Sequence, residues 1–248
     1  MPEALAINVA ANTTLPGFRA PIEPDGRFAY VPIPEREPTG ADAEVPTYGD
    51  LSFRVPVGVP DDLHDRRVHL DPEFAGHHGC REFTYGDEHG VKAGPIADLS
   101  AGDFLLFYAT LERRADRPEG AYPDRIPPEW GAFLIGGFRL AVDPVTGEDY
   151  PGLGEDLRPR FSNNAHVKRR RFDARVLAMG DPEGSALFER AVPLSDPDAG
   201  ADPGRLVTDL SGDSGRGPWW RRPLGFGTEA TGRLLSTLRE HGAGLPTA

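Results

Sequence analysis

Three segments of this chain carry side chains that could do chemistry. The first is His69-Leu70-Asp71, where a carboxylate two residues from an imidazole could orient it as a general base. It belongs to a stretch rich in possible zinc ligands: His64, His69, His77, His78, Cys80 and His89. No Cys-x-x-Cys or His-Glu-x-x-His spacing occurs there, so the spacing predicts a polar surface loop and no metal ligands.

The second segment runs from Asn163 to Lys168 and is followed by three arginines. The amides of Asn163 and Asn164 could read the edge of a nucleobase. His166 could transfer a proton, and Lys168 could hold a phosphate. If the segment is a strand, Asn164, His166 and Lys168 share one face. The alternative is an edge strand protected by its charges.

The third segment, Thr208–Pro223, is called here the tryptophan–arginine segment. It contains adjacent indoles at Trp219 and Trp220, and Arg221 and Arg222 follow directly. Indole and guanidinium planes stack on nucleobases, and guanidinium groups pair with phosphates. A buried tryptophan pair that anchors a loop, with the arginines directed outward, is the alternative.

Gly212-Asp213-Ser214-Gly215, within the same segment, is similar to the nucleophile motif of chymotrypsin-like serine proteases. The glycine pattern around that motif is interrupted, and the single cysteine, Cys80, excludes an internal disulfide. A tight turn, in which Asp213 and Ser214 bond the backbone, fits the residues better.

A smaller polar cluster, Asn12-Thr13-Thr14 with Arg19, follows the first predicted strand. Loops at strand ends often bind ligands, and a plain turn fits these residues equally well.

The composition is strongly acidic, with a formal net charge of −12. Only two of the 27 basic residues are lysines, Lys92 and Lys168. Such a balance favours a halophilic, archaea-like protein from a high-salt cytosol, although a GC-rich genome also favours arginine. It argues against broad non-specific DNA binding and leaves room for a local basic site. The lone cysteine and the absence of a long apolar run predict a soluble cytoplasmic protein with no signal peptide or membrane partner.

Apolar runs predict strands at Leu5–Asn8, Asp103–Tyr108, Ala132–Ala141 and Phe172–Met179. Capping signals predict a short helix over Asp181–Arg190 and a C-terminal helix that begins at Thr228. Tyr85–Gly90 is predicted to be a turn-rich loop. These elements predict a single α+β domain over residues 1–248. It is mainly β, with a mixed sheet or a partly closed barrel, a few packed helices and long loops.

Taken together, several segments resemble the third type of nucleotide modification-associated domain, a group linked to DNA base hypermodification. They are Ala11–Arg19, Pro24–Phe28, Tyr30–Glu35, Thr47–Leu51, His69–Pro72, Gly102–Tyr108, Phe161–Lys168 and Thr208–Trp220. The resemblance covers nearly the whole chain. It implies a base- or nucleotide-modifying protein of the transferase type, and identifies neither its cofactor nor its donor. It also makes other DNA-modification enzymes candidate partners.

On this interpretation the chemical segments form one site for a nucleotide or a flipped base. Proton transfer is assigned to His69 or His166, with Asp71, Asp50 or Asp213 as the orienting carboxylate. Substrate contacts are assigned to the remaining polar and aromatic candidates: Asn12, Thr13, Arg19, Asp50, Asn163, Asn164, Lys168, Ser214, Trp219, Trp220, Arg221 and Arg222.

Two other interpretations stay open. Gly102-Asp103, its aromatic strand and Leu134–Gly137 are similar to PUA-like barrels, so the protein could be a non-catalytic reader of modified bases. It could also modify a free nucleotide before incorporation, which suits the acidic composition.

Overall fold

A mixed β-sheet built on the two most apolar segments of the chain forms the centre of the protein. The computed structural model describes residues 2–114, 130–197, 199–243 and 245. The strands are β1 Ala4–Asn8, β2 Ala20–Ile22, β3 Ile33–Pro34, β4 Val68–His69, β5 Thr84–Asp87, β6 Phe104–Arg113, β7 Trp130–Arg139, β8 Val145–Thr146, β9 Val176–Met179, β10 Ala186–Pro193 and β11 Leu224–Phe226. The α-helices are α1 Gly90–Ala97, α2 Ala165–Lys168 and α3 Thr228–Glu240.

The main sheet has the strand order β10-β7-β6-β1-β11, and β2 also pairs with β6. β1 and β2 run parallel to β6, whereas the pairs β6–β7, β7–β10 and β1–β11 are antiparallel. The α+β class, mainly β with a mixed sheet, is therefore confirmed. Among the described residues the sheet is open, since β10 and β11 each have one strand partner, so the partly closed barrel is not supported.

β6 and β7 are buried on both faces, which explains why their sequences are apolar without alternation. Their aromatic residues form the main core with Phe74, whose ring lies 5.6 Å from Phe107 and 5.5 Å from Phe138, centroid to centroid. Gly136 leaves room for this ring, because a Cβ atom there would lie 2.6 Å from it. Phe74 thereby anchors the segment after β4 onto the central sheet.

The second sheet is antiparallel, with the order β5-β9-β8. Thr84–Asp87 is β5 and pairs with β9, so the prediction of a turn-rich loop over Tyr85–Gly90 is wrong for its first part. Because cross-strand pairing supplies partners for the backbone, the turn-forming residue types there do not prevent a strand.

One further element prediction is wrong. Asp181–Gly184 forms a turn and Ala186–Pro193 is strand β10, not a helix. An aspartate that caps a turn looks like a helix N-cap in sequence, and pairing with β7 decides the outcome. The strand considered for Asn163–Lys168 does not form: Ala165–Lys168 is the short helix α2, and Asn164 is its N-cap.

The strands predicted at Leu5–Asn8, Asp103–Tyr108 and Ala132–Ala141 are confirmed by β1, β6 and β7, and the C-terminal helix by α3. Phe172–Met179 is strand only over Val176–Met179. Among the described residues, no helix combines the length and apolar character that a membrane span requires.

Candidate functional site

Two imidazoles and one carboxylate from separate parts of the chain converge on one point, called here the His–Asp–His centre. The carboxylate Oδ2 of Asp71 lies 3.5 Å from Nε2 of His166 and 3.9 Å from Nε2 of His69. The two rings meet edge to face, with centroids 4.8 Å apart. All three residues are buried, so the prediction of a polar surface loop is wrong for His69 and Asp71.

Three elements bring these side chains together. His69 ends β4, which pairs with β3, and Asp71 follows two residues later. Oδ2 of Asp71 accepts a hydrogen bond of 2.9 Å from the backbone N–H of Gly86 in β5. His166 lies in α2, where the Asn164 side chain caps the helix by accepting the His166 N–H.

Gly86 of β5 lies directly against the centre. A Cβ atom at this position would lie 2.7 Å from Cδ2 of His166 and 3.1 Å from Oδ1 of Asn164. A larger residue would therefore push His166 out of place.

Each imidazole is held from behind by a second carboxylate. Nδ1 of His69 lies 2.8 Å from Oε2 of Glu35, and Nδ1 of His166 lies 2.8 Å from Oδ1 of Asp173. Arg169 lies between the two carboxylates and donates to Oε1 of Glu35 at 3.1 Å and to Oδ2 of Asp173 at 2.6 Å. It also donates to Glu88 at 2.5 Å.

These ion pairs determine which ring nitrogens carry hydrogen. Arg169 also lies 3.2 Å from Nδ1 of His166 and 3.3 Å from Nδ1 of His69. The carboxylate contacts are shorter, at 2.8 Å, and a carboxylate only accepts hydrogen bonds, so we assign Nδ1 of each imidazole as the donor toward Glu35 or Asp173. In the neutral rings Nε2 then carries a lone pair. Both lone pairs are on the side of Asp71.

Burial and hydrogen bonding move the pKa values in opposite directions around the centre. Burial opposes ionisation of Glu35, yet hydrogen bonds from His69 and Arg169 lower its pKa to about 2. The pKa of Asp173 is likewise lowered by His166 and Arg169 against its burial. Burial lowers the pKa of His69 and raises that of Asp71 well above its usual value. The centre thus favours neutral His69 and disfavours the charge on Asp71.

The centre lines a cavity of about 370 Å³, a volume within the range of small-molecule sites. The end of β1 and the following turn line it through Asn8, Ala10 and Asn12, among others. Opposite charges also line it: Arg36, Lys92 and Arg169 face Glu37, Asp87 and Glu88. Such a cavity suits a compact polar ligand of mixed hydrogen-bonding character.

The His–Asp–His centre also has the donor atoms of a metal site. One ligand atom each from His69, Asp71 and His166 lies within 4.8 Å of the other two. Oδ2 of Asp71 is the oxygen near both imidazoles, and the other oxygen, Oδ1, is buried with no hydrogen-bond partner among the described residues. Sequence spacing predicted no metal ligands here, because the third donor lies almost a hundred residues away from the first two. The arrangement can therefore support acid–base or metal-assisted chemistry.

The other residues of the second segment bond within the protein. Asn164 is fully buried and donates to Oγ1 of Thr84 at 3.2 Å. Asn163 donates to Glu73. Lys168 is half-buried and does not line the cavity, and burial lowers its pKa. Base and phosphate contacts by these three residues stay predictions.

The remaining N-terminal candidates are dispersed. Asn12 lines the cavity, and its Oδ1 accepts from the backbone of Thr14 and Leu15, which is the plain-turn geometry. Thr13 is exposed. Asp50 is exposed and caps a short turn through Thr47.

Trp219 is buried, and its Nε1 donates to the carbonyl of Ala201 at 2.9 Å. Trp220 is half-buried against Trp130, with ring centroids 5.2 Å apart. The Arg19 guanidinium lies 4.2 Å from the centroid of Trp130. None of these four residues lines the described cavity.

The rest of the tryptophan–arginine segment forms turns. Asp213 accepts from the backbone of Gly215 and from Arg222, both at Oδ1. Ser214 is exposed and accepts weakly from the backbone of Arg216. Arg221 is exposed as well. The substrate and acid–base roles predicted for these residues are untested by this geometry, which separates them from the cavity lining.

Sequence reasoning missed the residues that orient the centre: Glu35, Gly86, Arg169 and Asp173. Arg169 stood in a visible run of cations, and Glu35 ended a segment of the family resemblance. No spacing links Glu35 to His69 across 34 residues, so only the fold reveals the pair.

The family model for nucleotide modification associated domain 3 matches residues 3–240. The chain therefore belongs to this family, and the resemblance seen in the sequence is confirmed. Comparisons with curated proteins and with solved structures find no match.

Proposed function

From membership of a nucleotide modification family and from the geometry of the cavity, we propose that the protein is an enzyme that modifies a nucleotide or a DNA base. The His–Asp–His centre is its reaction site. One observation carries the proposal: three groups capable of proton transfer or metal binding meet at the cavity wall, and carboxylates behind them fix both imidazoles.

The size of the cavity limits the substrate. About 370 Å³ accepts a single nucleotide unit and excludes a stacked duplex. The substrate is thus a free nucleotide or a base flipped out of DNA. Lys92 and Arg36 at the cavity supply positive charge for a phosphate, while Asn8 and Asn12 supply polar groups.

The chemistry assigned to the residues is general acid–base catalysis or activation of a bound water. His69 and His166 each present Nε2 to the centre, and Glu35 and Asp173 hold the opposite nitrogen. A positioned pair of this kind contributes about 10²–10⁴-fold in rate.

The first test is ligand-dependent thermal stabilisation in high-salt buffer. Deoxynucleoside mono- and triphosphates are compared with single-stranded and duplex oligonucleotides. A nucleotide or single strand at about 100 times its dissociation constant should add about 2.7 kcal/mol of stability, and a duplex should add little. Absence of stabilisation by every nucleotide and oligonucleotide would contradict the proposal.

The second test distinguishes an enzyme from a non-catalytic reader of modified bases. DNA and nucleotide pools from cells that express the wild type are digested and analysed by mass spectrometry, beside cells that express His166→Gln. A modified nucleoside present only with the wild type supports catalysis. Binding of modified DNA with no new nucleoside supports the non-catalytic reader instead.

A further inference from the structure

We propose that His69, Asp71 and His166 hold a divalent first-row transition metal ion, bound by Nε2 of each imidazole and by the carboxylate of Asp71. The inference rests on the proposed function in placing the ion at the same reaction site. Metal binding itself is measured without any reaction.

The hydrogen-bond pattern leaves three acceptor atoms facing one another. Glu35 and Asp173 are paired with Arg169 and accept from Nδ1 of the two rings, so each Nε2 presents a lone pair. The ionised carboxylate of Asp71, which a bound cation favours over the protonated form, is the third acceptor. Oδ2 of Asp71 lies 3.5 Å from Nε2 of His166 and 3.9 Å from Nε2 of His69. Both distances are too long for a good hydrogen bond, so a proton between the groups does not satisfy them. A cation between them satisfies all three.

The separations suit a metal. Bonds of about 2.0–2.2 Å to nitrogen and oxygen place neighbouring ligand atoms about 3.0–3.5 Å apart. The separation between Asp71 and His166 matches this range, and His69 is a few tenths of an ångström beyond it. The two imidazole nitrogens lie within 4.8 Å of each other, so a movement of the rings toward the ion completes the site.

The residues behind the ligands have the organisation of a metal site. Metal-binding histidines donate their other N–H to a carboxylate or carbonyl, which fixes the ring and the tautomer. Both His69 and His166 do so.

The charge balance also favours a dication. The guanidinium of Arg169 is already engaged by Glu35, Glu88 and Asp173, whereas the ion-pair contacts of Asp71 are with the two imidazoles. A buried carboxylate with one unpartnered oxygen is costly unless a cation pairs with it.

A second group of possible ligands, Glu88, His166 and Asp173, does not carry a site. The guanidinium of Arg169 already lies 2.5 Å from Glu88 and 2.6 Å from Asp173 and takes the place of a cation there.

The donor set selects the class of metal. Two imidazoles suit zinc, iron, cobalt or nickel, whereas magnesium and calcium prefer oxygen ligands. Three protein ligands at a cavity leave further positions open, as in catalytic zinc and non-haem iron(II) sites.

The experiment titrates Co²⁺ into the full-length protein after treatment with a chelator. Visible absorption of cobalt and calorimetry report binding. We expect one Co²⁺ per chain, displaced by Zn²⁺ and not by Mg²⁺. His69→Ala and Asp71→Asn should each weaken binding by more than about 100-fold, since they remove a ligand and not merely an orienting group. His64→Ala, an exposed histidine outside the cavity, is the matched control.

Asp71→Asn keeps the shape of the side chain, and circular dichroism of each variant shows whether it folds. If the wild type binds no cobalt, or binds it equally well in all variants, the metal site is ruled out. Nucleotide stabilisation of both the chelator-treated and the cobalt-loaded protein is measured in parallel. Nucleotide binding without metal binding overturns only this inference, and metal binding without any nucleotide binding overturns only the proposed function.

Discussion

The His–Asp–His centre and the tryptophan–arginine segment contain similarly reactive residue types, yet the fold uses them in opposite ways. The centre assembles His69, Asp71 and His166 from distant parts of the chain and leaves their reactive atoms facing a cavity. In the segment, Trp219 is buried with its N–H bonded, and Asp213 bonds Arg222 nine residues away. The polar groups of these two residues bond partners no more than 18 residues away, whereas the groups of the centre are brought together by tertiary structure and are left available for chemistry.

The largest expected difference between the two regions is in activity, when one carboxylate is removed from each. Asp71→Asn should reduce formation of the modified nucleoside by about 10²–10⁴-fold, the range of a positioned catalytic group. Asp209→Asn, on the exposed side of the segment, should stay within about twofold. Mass spectrometry of nucleosides from cells with matched protein levels measures both. Equal losses would show that the two regions form one site.

For the free energy of unfolding we expect a large effect from a substitution in the tryptophan–arginine segment. Trp219→Ala removes a fully buried indole and its hydrogen bond to Ala201, so we expect a loss of about 3–5 kcal/mol in the free energy of unfolding. Arg221→Ala, its exposed neighbour, should change stability by about 0.5 kcal/mol or less. Urea denaturation of the two variants gives both values. A small effect of Trp219→Ala would return this residue to the list of candidate ligand contacts.

Part of this arrangement is visible in the sequence, and part requires the fold. Continuous apolar runs predicted β6 and β7 because both strands are buried on both faces. Residue type alone drew attention to His69, Asp71 and His166. Turn chemistry misled the assignment of β5 and β10, since the same residues serve helix caps, turns and strand ends.

The orienting residues could not be predicted. Glu35 and Asp173 are two of 39 acidic residues, and nothing local distinguishes them from the others. Their role follows from contacts with His69, His166 and Arg169 that only tertiary structure creates. The same reason explains why spacing predicted no metal ligands.

The smallest expected effects come from two carboxylates that each pair with an arginine, Glu35 in the centre and Asp213 in the segment. Glu35 accepts from His69 at one oxygen and from Arg169 at the other. In Glu35→Gln the amide N–H₂ group replaces one of the two oxygens. It therefore faces either the Nδ1–H of His69 or the guanidinium of Arg169, and both are donors. One orientation also forces the His69 proton onto Nε2, where it blocks a metal. Metal affinity should fall by about 10–100-fold in the cobalt titration.

Asp213 differs because Gly215 and Arg222 both donate to the same oxygen, Oδ1. In Asp213→Asn the amide oxygen can keep both hydrogen bonds, and the lost charge belongs to a pair whose arginine is exposed. We therefore expect the free energy of unfolding to change by less than about 1 kcal/mol in urea denaturation. If Glu35→Gln left the cobalt affinity unchanged, the carboxylates behind the imidazoles would serve only to pack against them. A loss confined to Glu35→Gln would mean that they set the tautomers on which the centre depends.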